Sequence, residues 1–503
     1  MEVMQILYEK FKLTSFRLGQ KEIINDLLKN KDVLAMLPTG SGKSLCYQLP
    51  AFLLHGVTIV VSPLLSLMED QVQQLKSQGI KEVVALNSFL SIDEREMVMK
   101  DLHKQKIIYV SPEILQSRSI QNHLKNMKIS LFVVDEAHCI SQWGHEFRTD
   151  YLKLNEVRSR LGNPTCLAIT ATATKEVQQD IIEKLNLTSF ESHIFTVDRP
   201  NISIVVKECG HLVSEKINEL VYLTKNLQGP GIIYASSRKW TEDLASILRK
   251  EGIKDVSFYH GGMNNDDRLL IQQQFINDEL QLICCTSAFG MGINKPNIRY
   301  VIHFHAPLQL ESYLQEIGRA GRDNRESIAI TLFSESDLPL HMNLLTMEFP
   351  NEEQIDAIFA SLESNHRFRR VNENEFLTQT GTSEIMWRFI RFHLEEHGVM
   401  IDYKYKRHSI TIEDLKTSLK DKIKDRITYK QNKFKEFQQW LSNHTECRRE
   451  TILAQFNETL IYKPQKCCDV CGIDLHDYFT NESTIKSLEF QSWQEELKKI
   501  FHQ

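Results

Sequence analysis

The chain has 503 residues, of which 42% are hydrophobic and 25% charged, and its formal net charge is −6. This length exceeds one ordinary hydrophobic core and predicts about three domains. No run approaches the ~18 apolar residues of a membrane span, and the N-terminus lacks a secretory signal, so we expect a cytoplasmic protein without membrane contact. The net charge argues against a uniformly basic nucleic-acid-binding protein but is compatible with a local basic groove.

Short β-branched runs alternate with longer amphipathic stretches between residues 16 and 335. This alternation is typical of parallel sheets with crossover helices. A second series of runs begins after the sequence VDRPN at 197–201, which indicates a domain boundary near residue 200. The pattern predicts an α/β protein with two tandem lobes, at 1–199 and 200–340.

A glycine-rich turn follows the first apolar run, in the stretch LAMLPTGSGKS at 34–44. Gly40 and Gly42 would let backbone N–H groups face a phosphate at a helix N-terminus. Lys43 would neutralise the β- and γ-phosphates of ATP, and Ser44 would ligate Mg²⁺. The alternative is an ordinary strand-to-helix turn. The loop residues expected to bind ATP are Thr39, Gly40, Ser41, Gly42, Lys43 and Ser44.

Two adjacent carboxylates end the apolar run LFVVDEAH at 131–138. The carboxyl ends of parallel strands are the edge at which such sheets bind ligands. Asp135 suits the magnesium ion, and Glu136 could polarise the attacking water. A solvated acidic loop is the alternative, but a position about 90 residues after a phosphate-binding loop favours an ATP site.

Two arginines lie three residues apart in YLQEIGRAGRD at 313–323, within the second predicted lobe. If the lobes close over ATP, Arg319 and Arg322 can reach the transferring phosphoryl group. Such arginine fingers are worth about 10³ to 10⁵ in rate. The alternative is a solvated helix face.

These motifs, in this order and spacing, resemble superfamily 2 helicases, and finer features resemble the RecQ family of DNA helicases. The resemblance implies that both lobes are RecA-like. The stretch SFRLGQKEII at 15–24 is similar to the family's motif before the phosphate-binding loop. The similarity implies that Arg17 contributes to nucleotide contacts and that Gln20 recognises adenine. Leu13 stands where the family usually has an aromatic residue that stacks on the base.

The stretch DEAHCISQWGHEFRTDY at 135–151 resembles the aromatic-rich loop with which RecQ enzymes sense DNA. Trp143 and Phe147 offer faces for base stacking, and Arg148 offers a phosphate contact. The alternative is that Trp143 packs in a core. With two further family motifs included, the residues expected to contact DNA are Gln142, Trp143, Phe147, Arg148, Thr172, Thr286 and Gly292.

Four cysteines cluster near the C-terminus, at Cys447, Cys467, Cys468 and Cys471. Four thiolates can form a closed tetrahedral zinc site, and the arrangement resembles the RecQ zinc-binding subdomain. It departs from the family because the second and third ligands are adjacent and Gln465 occupies one expected ligand position. Four free or buried thiols are the alternative.

The region beyond residue 340 changes to long polar amphipathic helices. Residues 341–415 predict three helices and a β-hairpin, which is the outline of a winged helix. Residues 416–475 are expected to form a helical zinc-binding subdomain, followed by a tail at 476–503. The lysine-rich helix before the zinc site could contact DNA or be a solvated face, and the sequence favours neither.

The resemblance implies an ATP-dependent DNA helicase that requires ATP, Mg²⁺ and Zn²⁺. By the same resemblance it would move 3′ to 5′ on single-stranded DNA and unwind tailed or forked duplexes in recombination or repair. Single-stranded-DNA-binding and recombination proteins are the expected protein partners. The alternatives are an RNA helicase, a translocase that does not unwind, and an inactive scaffold. The scaffold predicts loss of Lys43, Glu136 or Arg322, and all three are present.

Overall fold

The computed structural model describes residues 2–87, 92–141, 148–290, 295–364, 373–401, 404–405 and 410–480. Within these residues, two parallel β-sheets are followed by a mostly helical C-terminal region. No helix among them combines the length and the apolar composition that crossing a bilayer requires.

The first sheet has seven parallel strands in the order β3-β4-β2-β5-β6-β1-β7. Its middle strands read as continuous apolar runs because helices cover both faces, and every residue of Val57–Val61 and Ile107–Val110 is buried. The strands are β1 Asp32–Met36, β2 Val57–Val61, β3 Val83–Leu86, β4 Ile107–Val110, β5 Ile129–Asp135, β6 Thr165–Thr170 and β7 Phe190–Ile194. The helices are α1 Glu2–Phe11, α2 Gln20–Leu28, α3 Leu45–Leu53, α4 Leu65–Ser77, α5 Ile92–Lys100, α6 Pro112–Leu115, α7 Arg118–Lys125, α8 Leu154–Arg160 and α9 Lys175–Lys184.

The second sheet has six parallel strands in the order β10-β11-β9-β12-β13-β8, so the predicted pair of α/β lobes is confirmed. Its strands are β8 Ile202–Glu208, β9 Gly231–Tyr234, β10 Val256–Tyr259, β11 Leu282–Cys285, β12 Tyr300–His303 and β13 Ser327–Phe333. Its helices are α10 Val213–Asn226, α11 Arg238–Lys250, α12 Asn265–Ile276 and α13 Leu310–Ile317. Residues 195–201, the interlobe linker, join β7 to β8.

The C-terminal region contains a unit with a hydrophobic core of its own, built around the buried Trp387. Its elements follow the helix, helix, helix, hairpin order predicted for a winged helix, although residues 402–403 and 406–409 of the hairpin region lie outside the described residues. The elements of the region are α14 Leu338–Thr346, α15 Glu352–Ser364, α16 Glu373–Thr380, α17 Glu384–Glu396, β14 Met400–Ile401, β15 Lys404–Tyr405, α18 Ile412–Leu441 and α19 Arg448–Gln455.

Residues 447–480, here called the zinc module, pack against the edge strand β8 of the second sheet. The backbone N–H of Ile204 donates to the carbonyl of Cys467 at 3.2 Å, and the hydroxyl of Ser203 donates to the carbonyl of Lys466 at 2.6 Å. Unpaired edge strands invite association with other chains, and the zinc module covers this one. The module therefore sits directly beside the interlobe linker.

Candidate active site and metal centre

The phosphate-binding loop leaves the carboxyl end of β1 and enters α3. Gly40 and Gly42 have φ values of +86° and +81°, in the left-handed region that favours glycine. This path turns the loop so that Lys43 and Ser44 stand at the start of α3. The local geometry is therefore that of the predicted phosphate cradle, with the helix N-terminus favouring an anion.

The two carboxylates lie at the end of β5, opposite this loop. The ammonium of Lys43 is 4.0 Å from the Glu136 carboxylate. Burial and, to a lesser extent, the neighbouring Glu136 raise the pKa of Asp135 to about 7, while Lys43 opposes the rise. Two adjacent buried carboxylates of this kind favour a divalent cation, so Asp135 and Ser44 fit a magnesium ion that would arrive with ATP.

Arg319 and Arg322 follow helix α13 of the second lobe. Arg322 lies against the phosphate-binding loop, whereas Arg319 donates to the carbonyl of Gly290 within the second lobe. A Cβ built on Gly40 would lie 2.9 Å from Cγ of Arg322, so the two lobes are in contact at this point. Burial lowers the pKa of Arg322 to about 9, with repulsion from Arg319 and Arg199 contributing. A bound polyphosphate would offset the electrostatic repulsion among these three cations.

One cavity of about 390 Å³ joins the two lobes. Groups from the first lobe are placed where they can bind nucleotide and metal, and groups from the second lobe can neutralise the transferring phosphoryl group, which is the division of labour needed for ATP hydrolysis. The predicted residues that line the cavity are Arg17, Gln20, Thr39, Gly40, Gly42, Lys43, Ser44, Asp135, Glu136, Arg319 and Arg322. Ser41 belongs to the same loop, with its hydroxyl buried.

Arg17 and Gln20 hold the phosphate-binding loop from outside. Arg17 donates to the carbonyl of Gly40 at 2.7 Å, and the Gln20 amide donates to the carbonyls of Ser41 and Gly42 at 3.1 and 3.0 Å. Recognition of adenine by Gln20 stays a prediction. If Gln20 contacts the base, its hydrogen bonds to Ser41 and Gly42 would connect that contact to the conformation of the phosphate-binding loop. Leu13 is 43% exposed at the rim of the cavity, where the family has its aromatic residue.

Sequence reasoning missed a relay behind the carboxylates. His138 Nδ1 lies 3.4 Å from the Glu136 carboxylate and 2.8 Å from the hydroxyl of Thr170. The Thr170 hydroxyl in turn lies 3.3 Å from the carbonyl of Thr172. The histidine within the LFVVDEAH stretch was the available signal, because it follows the carboxylates by two residues.

A second missed residue is Arg199, in the VDRPN stretch that the sequence analysis used only as a domain boundary. Its guanidinium donates to the carbonyl of Thr39 at 2.8 Å and to the carbonyl of Gly321 at 2.8 Å. It therefore bridges the phosphate-binding loop and the turn that carries the two arginines.

The predicted DNA contacts are distributed unevenly over the structure. Arg148 is partly exposed, with Nη1 3.9 Å from the Glu113 carboxylate. Thr286 is half-buried and lines a crevice of about 510 Å³ in the second lobe. Thr172 is 5% exposed, so a contact between its side chain and DNA stays a prediction that would require local opening. Gln142, Trp143, Phe147 and Gly292 lie outside the described residues.

The four cysteines converge as a metal centre. Their Sγ atoms all lie within 4.8 Å of one another, with 3.6 Å between Cys447 and Cys467 and 3.4 Å between Cys468 and Cys471. A tetrahedral zinc ion with Zn–S bonds of about 2.3 Å places neighbouring sulfur atoms about 3.8 Å apart. The set fits zinc, and Cys467 is placed to supply the ligand that the sequence left in question at position 465.

Family models match most of the chain. The DEAD/DEAH box helicase model matches residues 17–181, the helicase conserved C-terminal domain matches 214–324, and the RecQ zinc-binding model matches 405–472. The "Probable ATP-dependent DNA helicase RecS" of Bacillus subtilis is 44% identical over 504 residues, covering 99% of this chain and 98% of that protein. The "ATP-dependent DNA helicase RecQ" of Synechocystis is 36% identical, covering 91% of this chain and 95% of that protein. The chain belongs to the RecQ family.

Longer RecQ proteins match only in part. The RecQ helicase of Haemophilus influenzae is 42% identical over 336 residues, which cover 66% of this chain but 54% of that protein. Two solved structures share the fold: Mss116 bound to single-stranded RNA and UDP-BeF, and the Mycobacterium smegmatis helicase Lhr bound to single-stranded DNA and AMP-PNP. Their sequence identities are 20% and 18%, each with a TM-score of 0.56. They cover 77% and 76% of this chain, which in turn spans 88% and 55% of theirs.

The RecQ family membership confirms the predicted ATP-dependent DNA helicase, its two-lobed fold and its requirement for ATP, Mg²⁺ and Zn²⁺. DNA is its nucleic-acid partner. The roles of individual residues at the sites described above remain predictions.

Proposed function

We propose that this RecQ-family helicase moves 3′ to 5′ along single-stranded DNA and unwinds tailed or forked duplexes during recombination or repair. The observation that carries the motor is the single cavity lined by Lys43 and Glu136 of the first lobe and by Arg319 and Arg322 of the second. Because hydrolysis uses groups from both lobes, each turnover is tied to closure and reopening of the cleft. Motion of one lobe against the other can then advance the protein along a strand.

The proposed track crosses the aromatic-rich loop of the first lobe and the crevice of the second. In the loop, Gln142 would hydrogen-bond to DNA, while Trp143 and Phe147 would stack on bases, each stack being worth about 1 to 3 kcal/mol. Arg148 would exchange its long contact with Glu113 for a DNA phosphate, to which a guanidinium can donate two parallel hydrogen bonds. Thr172, Thr286 and Gly292 complete the proposed set.

An RNA helicase is the second candidate, because the fold is shared with a protein bound to single-stranded RNA. That likeness, at 20% identity, bears on the fold alone. The zinc module and the 44% identity to RecS favour DNA. A translocase that hydrolyses ATP on DNA without separating strands uses the same ATP site and is distinguished only by experiment.

The test is strand displacement by the purified protein on four duplexes, DNA and RNA, each with a 3′ or a 5′ single-stranded tail. We expect ATP- and Mg²⁺-dependent unwinding of the 3′-tailed DNA duplex alone, and loss of unwinding in Lys43→Ala. Unwinding of the 5′-tailed duplex would contradict the polarity, and unwinding of RNA at a comparable rate would contradict the choice of DNA. DNA-stimulated hydrolysis without displacement would indicate a translocase.

The aromatic-rich loop is tested by Trp143→Ala with Trp240→Phe as the matched control. Trp240 packs against Phe304 in the second lobe, with ring centroids 5.3 Å apart, and has no proposed DNA contact. We expect Trp143→Ala to keep basal ATP hydrolysis and to lose most of its stimulation by DNA, whereas Trp240→Phe keeps both. Full stimulation in Trp143→Ala would contradict the stacking role.

Unwinding exposes single strands, so proteins that coat or recombine single-stranded DNA are the proposed protein partners. We propose a cytoplasmic location, at the nucleoid if the source is bacterial, because the proposed track is DNA. Co-purification of the protein with nuclease-sensitive DNA would support the location, and recovery from a DNA-free fraction would contradict it.

A further inference from the structure

The interlobe linker carries a guanidinium with four hydrogen bonds to backbone carbonyls. On the first lobe, Arg199 Nη1 donates to the carbonyl of Thr39 at 2.8 Å. On the second lobe, Nη1 donates to Gly318 at 3.1 Å, and Nη2 donates to Ala320 at 3.0 Å and to Gly321 at 2.8 Å. One planar group thus joins the phosphate-binding loop to residues 318–322, here called the arginine-finger turn.

We propose that Arg199 is a positioning residue for ATP hydrolysis, which sets the register of the arginine-finger turn against the phosphate-binding loop. Its partners are the backbone groups on either side of Arg319, so it acts through Arg319 and Arg322. The contact is suited to arginine because a guanidinium presents five donors in a fixed plane, whereas a lysine ammonium presents three from one point. Because all four acceptors are backbone carbonyls, the hydrogen bonds of Arg199 depend on the positions of the two backbone segments and not on their side chains.

The zinc module holds Arg199 in place through Arg449, which is 2% exposed. The Arg449 guanidinium pairs with the carboxylate of Asp198 and donates to the carbonyls of Arg199, at 3.1 Å, and Ile202, at 2.5 Å. Residues of the zinc module therefore fix the backbone from which Arg199 reaches both lobes.

A second contact fixes the same linker immediately before Asp198 in the sequence. The carboxylate of Glu458, also in the zinc module, accepts from the backbone N–H of Val197 at 3.1 Å and from the hydroxyl of Thr196. The zinc module therefore hydrogen-bonds to the linker backbone on both sides of Asp198. The structure assigns to the zinc module a mechanical role at the ATP site, in series with Arg199.

The first experiment uses Arg199→Lys in the full-length, zinc-loaded protein, without DNA. We expect kcat for ATP hydrolysis to fall at least tenfold, while the affinity for ADP stays within threefold. The affinity for ADP with aluminium fluoride, which mimics the transferring phosphoryl group, should fall at least tenfold. Millimolar guanidinium should restore part of the activity of Arg199→Ala. None of these readouts requires DNA, so failure of the proposed polarity or unwinding would not affect this test.

The matched control is Arg158→Lys, because Arg158 is another guanidinium held by several hydrogen bonds, but it lies outside the ATP cavity. It is 7% exposed and holds both carboxylate oxygens of Asp32, at 2.8 and 2.7 Å, within the first lobe. It should lower the melting temperature but keep kcat within twofold. The proposal is overturned if Arg199→Lys hydrolyses ATP at the wild-type rate, or if its affinities for ADP and for the fluoride complex fall by the same factor.

The link to the zinc module is tested by Asp198→Asn, which removes the partner of Arg449 and leaves the cysteines untouched. We expect kcat to fall several-fold with one zinc ion still bound per chain. Because the two residues act in series, the double variant with Arg199→Lys should lose no more activity than Arg199→Lys alone. Multiplicative losses, or an unchanged kcat in Asp198→Asn, would overturn this link.

Discussion

Gly318 of the second lobe and Thr39 of the first are in direct contact. A Cβ built on Gly318 would fall 2.8 Å from the Cβ of Thr39, closer than side chains approach in folded proteins. The φ of Gly318 is −61°, an ordinary helical value, so the backbone conformation does not require glycine. The requirement comes from two close approaches, that of Thr39 on the opposite lobe and that of the Leu314 carbonyl, 2.9 Å away in helix α13. The approach of the lobes places the arginine-finger turn beside the phosphate-binding loop.

Gly318→Ala is therefore expected to act as a wedge in the cleft. The added methyl meets Thr39 on the opposite lobe, so Arg319 and Arg322 retreat from the transferring phosphoryl group. We expect kcat for DNA-independent ATP hydrolysis to fall about tenfold, a part of the 10³ to 10⁵ that arginine fingers contribute. Steady-state kinetics measure it, with the affinity for ADP as the companion value.

Gly261→Ala is the control for this substitution, because a Cβ at Gly261 meets no atom within 4 Å. It should hydrolyse ATP at the wild-type rate in the absence of DNA. An unchanged kcat in Gly318→Ala would mean that the lobes separate without cost and would contradict the wedge.

Arg322→Ala is expected to remove most of the hydrolysis while sparing nucleotide binding. The pKa of Arg322 is lowered to about 9 by burial and by the nearby Arg319 and Arg199, so it remains a cation at neutral pH. A charge aimed at the γ-phosphate stabilises the transition state more than the ground state. We expect kcat to fall about 10³-fold and the ADP affinity to change less than threefold.

The outcome for Arg322→Ala is read from single-turnover hydrolysis with ADP binding in parallel. Arg325→Ala offers a control on the same segment, since Arg325 is exposed and outside the cavity. Equal activity of the two variants would exclude Arg322 as an arginine finger.

The sequence predicted each motif of the ATP site but not how the motifs are held together. Glycines, carboxylates and arginines leave a local pattern because their chemistry needs those residue types at fixed spacing. Arg199 leaves no such pattern, since its acceptors are backbone carbonyls and every residue has one. The VDRPN stretch therefore indicated only a domain boundary. The structure shows that its arginine also hydrogen-bonds to both lobes.

The prediction of the zinc cluster was also incomplete, because one of its ligands is placed by a contact between residues far apart in the sequence. Four cysteines near each other in sequence predicted zinc, but spacing alone left the ligand at 465 or 467 open. The turn that brings Cys467 within 3.6 Å of Cys447 depends on the pairing of residues 466–468 with the edge strand β8. That pairing is a long-range contact that local spacing does not encode.

Cys467→Ser is expected to release the metal and to loosen the zinc module. Removing one thiolate opens a closed tetrahedral site, and structural zinc contributes on the order of 10 kcal/mol in small zinc peptides. We expect bound zinc to fall from one ion per chain to well below half, with a lower melting temperature. Cys209→Ser, a half-buried thiol outside the cluster, should keep full zinc content. Retention of zinc by Cys467→Ser would point to another fourth ligand.

Arg391→Met is expected to weaken the attachment of helix α17 to the first lobe, which the ion pairs Lys153–Glu395 and Arg388–Glu113 also hold. The Arg391 side chain is 8% exposed, and its Nη2 lies 3.6 Å from the carboxylate of Asp150, which is 5% exposed. Leaving one partner of a buried ion pair alone costs about 3 to 5 kcal/mol, and the long contact argues for the lower figure. We expect the opening free energy of α17 to fall by about 3 kcal/mol, measured by amide hydrogen exchange. Lys416→Met, which breaks an ion pair with the exposed Asp356, should cost under about 1 kcal/mol. Adding Asp150→Asn to Arg391→Met should recover part of the lost free energy, since it removes the unpaired charge. Exchange rates in α17 of Arg391→Met equal to those of the unmodified protein would show that the ion pair does not hold the helix.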